Sequence, residues 1–180
     1  MIFTIATESP LSDDVRALVQ ALNEFTFALT PAEYRHHMTV EQMAQPDTTL
    51  FVARDGQNAP LGMGALRRHP NGVGEVKRMF VTPEARGLGV GGAILSMIEQ
   101  LALSEGLTRV VLETGSNFDA AKRIYERGGF IPCDAVLDYP PSAWTAFYSK
   151  ELAPPEPRHS GAADASLDPL DSGSRSARPE

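Results

Sequence analysis

Val81-Thr82-Pro83-Glu84-Ala85-Arg86-Gly87-Leu88-Gly89-Val90-Gly91-Gly92-Ala93-Ile94-Leu95 joins a run of strand-type residues to an amphipathic helical pattern. Glycines let successive backbone N–H groups point into one concavity, and the helix that follows adds the positive end of its dipole. Arg86 adds a fixed charge with a forked donor set. Four glycines in the six residues 87–92, beside an arginine, read as a seat for a diphosphate.

Two diphosphate ligands compete for this stretch. Gly87-Leu88-Gly89-Val90-Gly91-Gly92 spells G-x-G-x-x-G, and Glu113 follows about 20 residues later, as in a dinucleotide fingerprint. Three features oppose that reading. Residues 82–86 separate the strand from the first glycine. Strands and helices precede the motif, which normally opens its domain. Too little chain follows Glu113 to complete a doubly wound sheet. A Walker-type loop fails as well, because no Gly-Lys-Ser/Thr follows. The second candidate is coenzyme A.

Outward from this turn, hydrophobic periodicity gives a strand over 2–6, a helix over 12–29 and a second helix over 31–43. Strands follow over 50–54 and 61–67, joined by an Asp55-Gly56 turn, and over 75–81. A helix over 91–104 closes at Gly106 and leads into a strand over 109–113. A helix over 119–127 stops at Gly128-Gly129, and the last strand covers 143–152, with room for one more near 130–136. Early hairpins in a mixed order indicate α+β or mixed α/β rather than a doubly wound fold.

Composition narrows the function classes. The chain has 180 residues and a net charge of −7, which disfavours general binding to a phosphate backbone, so no nucleic-acid partner is expected. The apolar runs fall far short of the ~20 residues that span a membrane. The first residues lack a basic start and a long apolar stretch, so no secretory signal is expected. The single cysteine, Cys133, excludes an internal disulfide and a Cys-rich zinc site and fits a cytoplasmic setting. No metal is expected.

Arg86-x-x-Gly89-x-Gly91 resembles the Q/R-x-x-G-x-G/A signature of the Gcn5-related N-acetyltransferases (GNAT). Lys77-Arg78-Met79-Phe80-Val81-Thr82-Pro83 looks like that family's strand four. Asn117-x-x-Ala120-x-x-x-x-Tyr125-Glu126-x-x-Gly129-Phe130 is similar to its N-x-x-A-x-x-x-x-Y-E-x-x-G-F segment. Glu113-Thr114-Gly115 and Tyr139-Pro140 resemble a bacterial branch acting mostly on small molecules. The resemblance covers about residues 1–152. It implies a mixed, mostly antiparallel, V-splayed sheet of about seven strands flanked by about four helices. It implies direct transfer of an acetyl group from acetyl-coenzyme A to a primary amine of a small molecule. Relatives often form homodimers. The alternatives are a non-catalytic coenzyme A-binding regulatory module and a protein N-terminal or lysine acetyltransferase.

The same resemblance implies roles for residues. Backbone N–H groups of Gly87, Leu88, Gly89, Val90, Gly91 and Gly92, with Arg86, would hold the pyrophosphate. Many relatives carry a polar side chain where this sequence has Leu88 or Gly92. Met79, Phe80 and Val81 would offer backbone groups to the pantetheine arm, and Asn117 would hydrogen-bond it. A protonated amine needs a base, because its pKa is near ~10.4. Glu75 is the first candidate, and Glu113, placed also beside the acceptor, is the second. Tyr125 would protonate the leaving thiolate. Phe25 and Phe27 would shape the acceptor pocket. His36-His37 on a helix would face different ways and make no metal pair. Cys133 is read as filler.

Residues 153–180 hold five prolines and five serines and no aromatic residue, Ile, Val or Met. Such a segment buries too little apolar surface to offset ordering entropy, so a disordered tail is expected after a domain over 1–152. Its removal should leave the melting temperature and cofactor affinity unchanged; a clear drop in melting temperature would show that it packs on the domain.

Overall fold

The computed structural model describes residues 2–152. Strand β2 (Thr48–Asp55) carries four consecutive buried apolar residues, Leu50-Phe51-Val52-Ala53. Successive strand residues face opposite sides, so such a run needs cover on both faces. On one face Leu50 and Val52 meet Val15, Leu18, Val19 and Leu22 of α1 (Asp13–Leu29) and Met43 of α2 (Val40–Met43). On the other, Phe51 and Ala53 join the cluster of Ile94, Leu95 and Ile98 from α3 (Val90–Ser104).

The remaining elements are β1 (Phe3–Thr7), β3 (Pro60–His69), β4 (Val73–Val81), β5 (Arg109–Gly115), α4 (Asp119–Arg127), β6 (Ile131–Cys133) and β7 (Thr145–Glu151). They form one seven-stranded sheet in the order β1-β2-β3-β4-β5-β7-β6. Every pairing is antiparallel except β4 with β5. The expected extra strand near 130–136 is β6.

That parallel pairing is short. Val73, Gly74 and Glu75 pair with Arg109, Val110 and Val111, and nothing beyond them does. Residues 76–81 of β4 and 112–115 of β5 diverge, which opens the sheet into the expected V. β4 stays paired to β3 as far as Val81, and β5 to β7 as far as Gly115.

A β-bulge interrupts β4 inside the V. Met63 opposes Phe80 and Ala65 opposes Lys77, so Gly64 faces both Arg78 and Met79. Arg78 takes a left-handed φ of 58°, a strain of about 1–3 kcal/mol for a side chain of this size. The extra residue resets the alternation. Val76 and Met79 both turn to the α3 face, while Lys77 and Arg78, adjacent in sequence, both turn to the α1 face.

Two expectations are corrected. The single helix over 31–43 is a 3-10 turn (Ala32–Tyr34), an extended stretch and the one-turn α2. Arg35 accounts for the break: its side chain donates to Thr30 O at 2.8 Å and Phe27 O at 2.9 Å, folding the chain back on the end of α1. Thr39 then restarts a helix through a reciprocal capping box with Gln42. The β2–β3 turn is also longer than an Asp-Gly turn. The left-handed residue there is Asn58, and the Asp55 carboxylate caps the N–H groups of Gln57 and Ala59. The tail expectation for 153–180 lies outside the described residues.

A Cβ on Gly64 would collide with Met79 Sδ and lie 2.7 Å from Ile94 Cγ2, whereas one on Gly56 meets nothing within 4 Å. Gly64→Ala should therefore cost about 1–3 kcal/mol by overpacking. Gly56→Ala should stay within about 0.5 kcal/mol of the parent. Denaturant unfolding of the two variants checks both values.

Candidate active site

The V opens into a cavity of about 540 Å³. That is within the usual range for small-molecule sites. Its walls are the C-terminal part of α1, the stretch 34–37, residues 76–81 of β4, the end of β5, and the loop and first turns of α4. The expected residues Phe25, Phe27, Met79, Phe80, Val81, Arg86, Gly91, Glu113, Asn117 and Tyr125 all line it. Glu75 does not.

At one end lies the glycine turn. Gly87 and Gly89 take left-handed φ values of 79° and 83°, which glycine adopts without strain. Gly89 caps α3, and Val90, Gly91 and Gly92 form its first turn, where helix geometry leaves N–H groups without internal acceptors. Gly91 also allows close packing, because a Cβ there would lie 3.1 Å from Ile124 Cδ1. Leu88 differs from its expected role: its N–H already donates to Ala85 O at 3.3 Å, within the turn. Arg86 lies 5.5 Å over the Phe25 ring. Open N–H groups at a helix start beside an arginine suit a diphosphate.

The free edge of β4 runs through the middle of the cavity. Beyond Glu75 its backbone has β3 on one side and no strand on the other. Asn117, expected to face a pantetheine arm, donates its side-chain amide to Leu29 O at 3.2 Å. With the Phe25–Phe118 ring pair at 5.7 Å, this contact ties α1 to the β5–α4 loop across the V.

The two candidate carboxylates have opposite environments. Glu75 is completely buried. Its Oε2 pairs with His69 Nε2 at 2.8 Å, and its Oε1 accepts from Tyr139 Oη at 2.7 Å and lies 3.2 Å from Lys77 Nζ. Lys77 also donates to Tyr139 Oη at 2.7 Å. Both oxygens of Glu75 are thus engaged below the cavity wall. Glu113 is half-buried on the cavity surface. Burial and the nearby Glu75 charge push its pKa from 4.5 up to about 7, against the opposing effect of Lys77.

Tyr125 is buried against Phe130 and Tyr148, and it lines the same cavity as Glu113. Burial, reinforced by the Glu113 charge, raises its pKa well above the ordinary phenol value, so it stays protonated. His36 and His37 do diverge, as expected, but on extended chain: His36 packs on Tyr139 and His37 on Phe27. No cluster of metal-ligating side chains occurs among the described residues.

The sequence reading missed the roles of Lys77, Tyr139 and His69 around Glu75, and those of Arg35 and Arg78. Lys77-Arg78 and Tyr139-Pro140 were visible as motif residues, yet the Lys77–Tyr139 and Arg78–Asn23 contacts join segments more than 50 residues apart.

Comparison with known proteins agrees with this geometry. The family model for the Acetyltransferase (GNAT) family matches residues 15–130. An IAA acetyltransferase of Azospirillum brasilense is 38% identical over 150 residues, which are 83% of this chain and 97% of the relative. The N-acetyltransferase YedL of Escherichia coli, itself uncharacterized, is 32% identical over 83% of this chain and 95% of its own. Among solved structures, a Klebsiella pneumoniae protein described as an acyl-CoA N-acyltransferase superposes with a TM-score of 0.72 at 26% identity, covering 84% of this chain and 99% of that one. The PaiA N-acetyltransferase of Thermoplasma acidophilum, solved with coenzyme A, shares the fold at a TM-score of 0.67 and 17% identity, covering 84% and 100%. A family match from α1 through α4, relatives aligned over nearly their whole length and a sheet splayed above a glycine turn lead to one conclusion: the chain belongs to the GNAT family of acetyltransferases, which use acetyl-coenzyme A.

Proposed function

We propose that this protein moves the acetyl group of acetyl-coenzyme A to the primary amine of a small molecule by direct transfer, with Glu113 as base and Tyr125 as acid. The observation that carries the reading is that one cavity holds a carboxyl group poised near neutrality and a phenol held protonated. A coenzyme A-binding regulator would need neither. That a relative is named an IAA acetyltransferase supports a small acceptor.

The chain's own groups divide the work. The N–H groups at the start of α3 and the Arg86 guanidinium bind the diphosphate of acetyl-coenzyme A, which supplies the activated acetyl group. The free edge of β4 at Met79–Val81 orients the arm. Glu113 accepts the proton that the acceptor ammonium must lose before its nitrogen can attack. A base with a pKa near the operating pH is both ionised and basic enough for this step. As the new C–N bond forms and the C–S bond breaks, the Tyr125 hydroxyl gives its proton to the departing sulfur and is restored by the second proton that the nitrogen loses in becoming an amide. Glu75 takes a different part from the one expected of it. With both oxygens engaged, it anchors Lys77 and Tyr139 and contributes to the charge that Glu113 experiences.

For acetyl transfer followed by thiol release, kcat/KM should rise as pH increases through about 7 and then level off. Glu113→Gln should abolish that limb and lower kcat by ~10²–10⁴-fold. The same substitution carries a stability signature. The Glu113 carboxyl has a higher pKa folded than unfolded, so the unfolded chain binds fewer protons between pH 4.5 and about 7, and stability falls as pH rises through that window. Glu113→Gln should therefore raise the melting temperature more at pH 8 than at pH 5. By contrast, Glu75→Ala should act mainly on stability, costing about 3–5 kcal/mol by leaving Lys77 without its buried counter-charge. Tyr125→Phe should lower kcat while calorimetric affinity for acetyl-coenzyme A stays nearly intact. Titration of the parent with acetyl-coenzyme A, NAD and NADP should show saturable binding of the first alone; binding of a nicotinamide nucleotide instead would sink the proposal.

A further inference from the structure

The charges in the cavity run against those of the chain. The protein carries a net charge of −7, which on its own suits a cationic acceptor. Among its outer arginines, Arg16, Arg54, Arg67, Arg68 and Arg109 each lie within 3.3 Å of a carboxylate, while Arg123 and Arg127 on the exposed side of α4 are solvated without a salt bridge among the described residues. None of the cavity arginines is matched. Arg35, Arg78 and Arg86 line the cavity, and none of them has a salt-bridge partner among the described residues. Arg86 belongs with the glycine turn. The other two lie on the α1 side, away from it.

Arg78 is the more telling of the pair. It is 9% exposed, and its bulge conformation sends it to the same face as Lys77. Its Nη2 donates to Asn23 Oδ1 at 2.7 Å and to Val19 O at 3.5 Å, both neutral acceptors. Its Nε is buried with no partner, and Nη1 also has no protein acceptor while keeping access to the cavity. Arg35 likewise spends its donors on backbone carbonyls and stacks on Phe27 at 4.6 Å. Lys77 is already matched by Glu75, and Asp119, the other cavity acid besides Glu113, is held by Lys122 at 2.7 Å. A guanidinium withdrawn from water without a counter-ion is costly, and a strained backbone that holds it there points to a ligand that completes it. Around it the cavity is apolar, with Leu22, Phe25, Phe27, Tyr34 and Trp144 in its walls.

We infer that the acceptor is an amino acid with an apolar side chain, its carboxylate held by Arg78 and its amine presented to Glu113. Arg78 is then a specificity-determining residue, and Arg35 supports it with a second positive charge. The inference rests on the acetyl-transfer reading above and narrows its acceptor.

The test uses the full chain with acetyl-coenzyme A and follows thiol release. L-Phenylalanine, L-leucine and L-tryptophan are compared with phenethylamine, isoamylamine and tryptamine, which differ only by the carboxylate. The expected kcat/KM is about 10- to 100-fold higher for the acid of at least one pair, the worth of one charge-assisted hydrogen bond. Arg78→Gln should bring that ratio close to 1, mainly through KM for the acid. Because Arg78 holds α1, a second measurement needs no variant: 3-phenylpropionate, 4-methylpentanoate or indole-3-propionate, each the amino acid without its amine, should inhibit the parent competitively against its amino acid and not against acetyl-coenzyme A. Equal or better turnover of the amines overturns the inference and leaves acetyl transfer standing. A ratio that survives Arg78→Gln overturns the assignment to Arg78. Binding of acetyl-coenzyme A with acetylation of neither series overturns both.

Discussion

The three-residue pairing between β4 and β5 is the constraint on which the rest of the structure depends. Parallel strands cannot be joined by a tight turn, and here the crossover is α3, whose first turn begins directly above the gap. Separation of the strands after Glu75 therefore does two things together. It frees one backbone edge of β4, and it leaves space in line with the open N–H groups of a helix start. A longer ladder would close the sheet and consume both. The cavity is a consequence of where the hydrogen bonding stops.

The bulge at Arg78 adds a second consequence. A regular strand would send Lys77 and Arg78 to opposite faces, one of them into the apolar layer under α3. The bulge places both on the α1 face and gives Met79 to that layer instead. Gly64 permits this, since a side chain there would occupy the space that Met79 and Ile94 fill. The two cations then diverge in partnership. Lys77 joins a closed network with Glu75, Tyr139 and His69, whereas Arg78 meets only neutral oxygens on α1. One cation is internally neutralised and the other is left for a ligand. Glu113 lies within the field of this network, and its pKa is raised by burial, against a lowering by Lys77 that Glu75 partly offsets.

Much of this was legible in the sequence. The glycine turn before α3, the helices over 12–29, 91–104 and 119–127, and the succession of strands along the chain up to β5 follow from local patterns: glycine spacing, period-3.6 and period-2 hydrophobicity, and caps. The second helix over 31–43 did not survive, because Arg35 competes for the carbonyls at the end of α1 and its reach is not a matter of periodicity. The roles of the two carboxylates were likewise not legible. Glu75 and Glu113 both sit on strands that meet in the V, and nothing in the residues beside them says which is sealed below the wall.

By itself the sequence determined what depends on neighbours in the chain: the elements, the glycine turn, the spacing of Asn117 and Tyr125, and through these the family. The tertiary structure decided what depends on long-range contact. It set the point where β4 and β5 part, the residues that face the cavity, and the partner of each charge. The physical reason is that helix and strand patterns repeat over a few residues. Burial and Coulomb energy depend instead on distances between groups such as Lys77 and Tyr139 or Asn23 and Arg78, which only the folded sheet brings within hydrogen-bond reach.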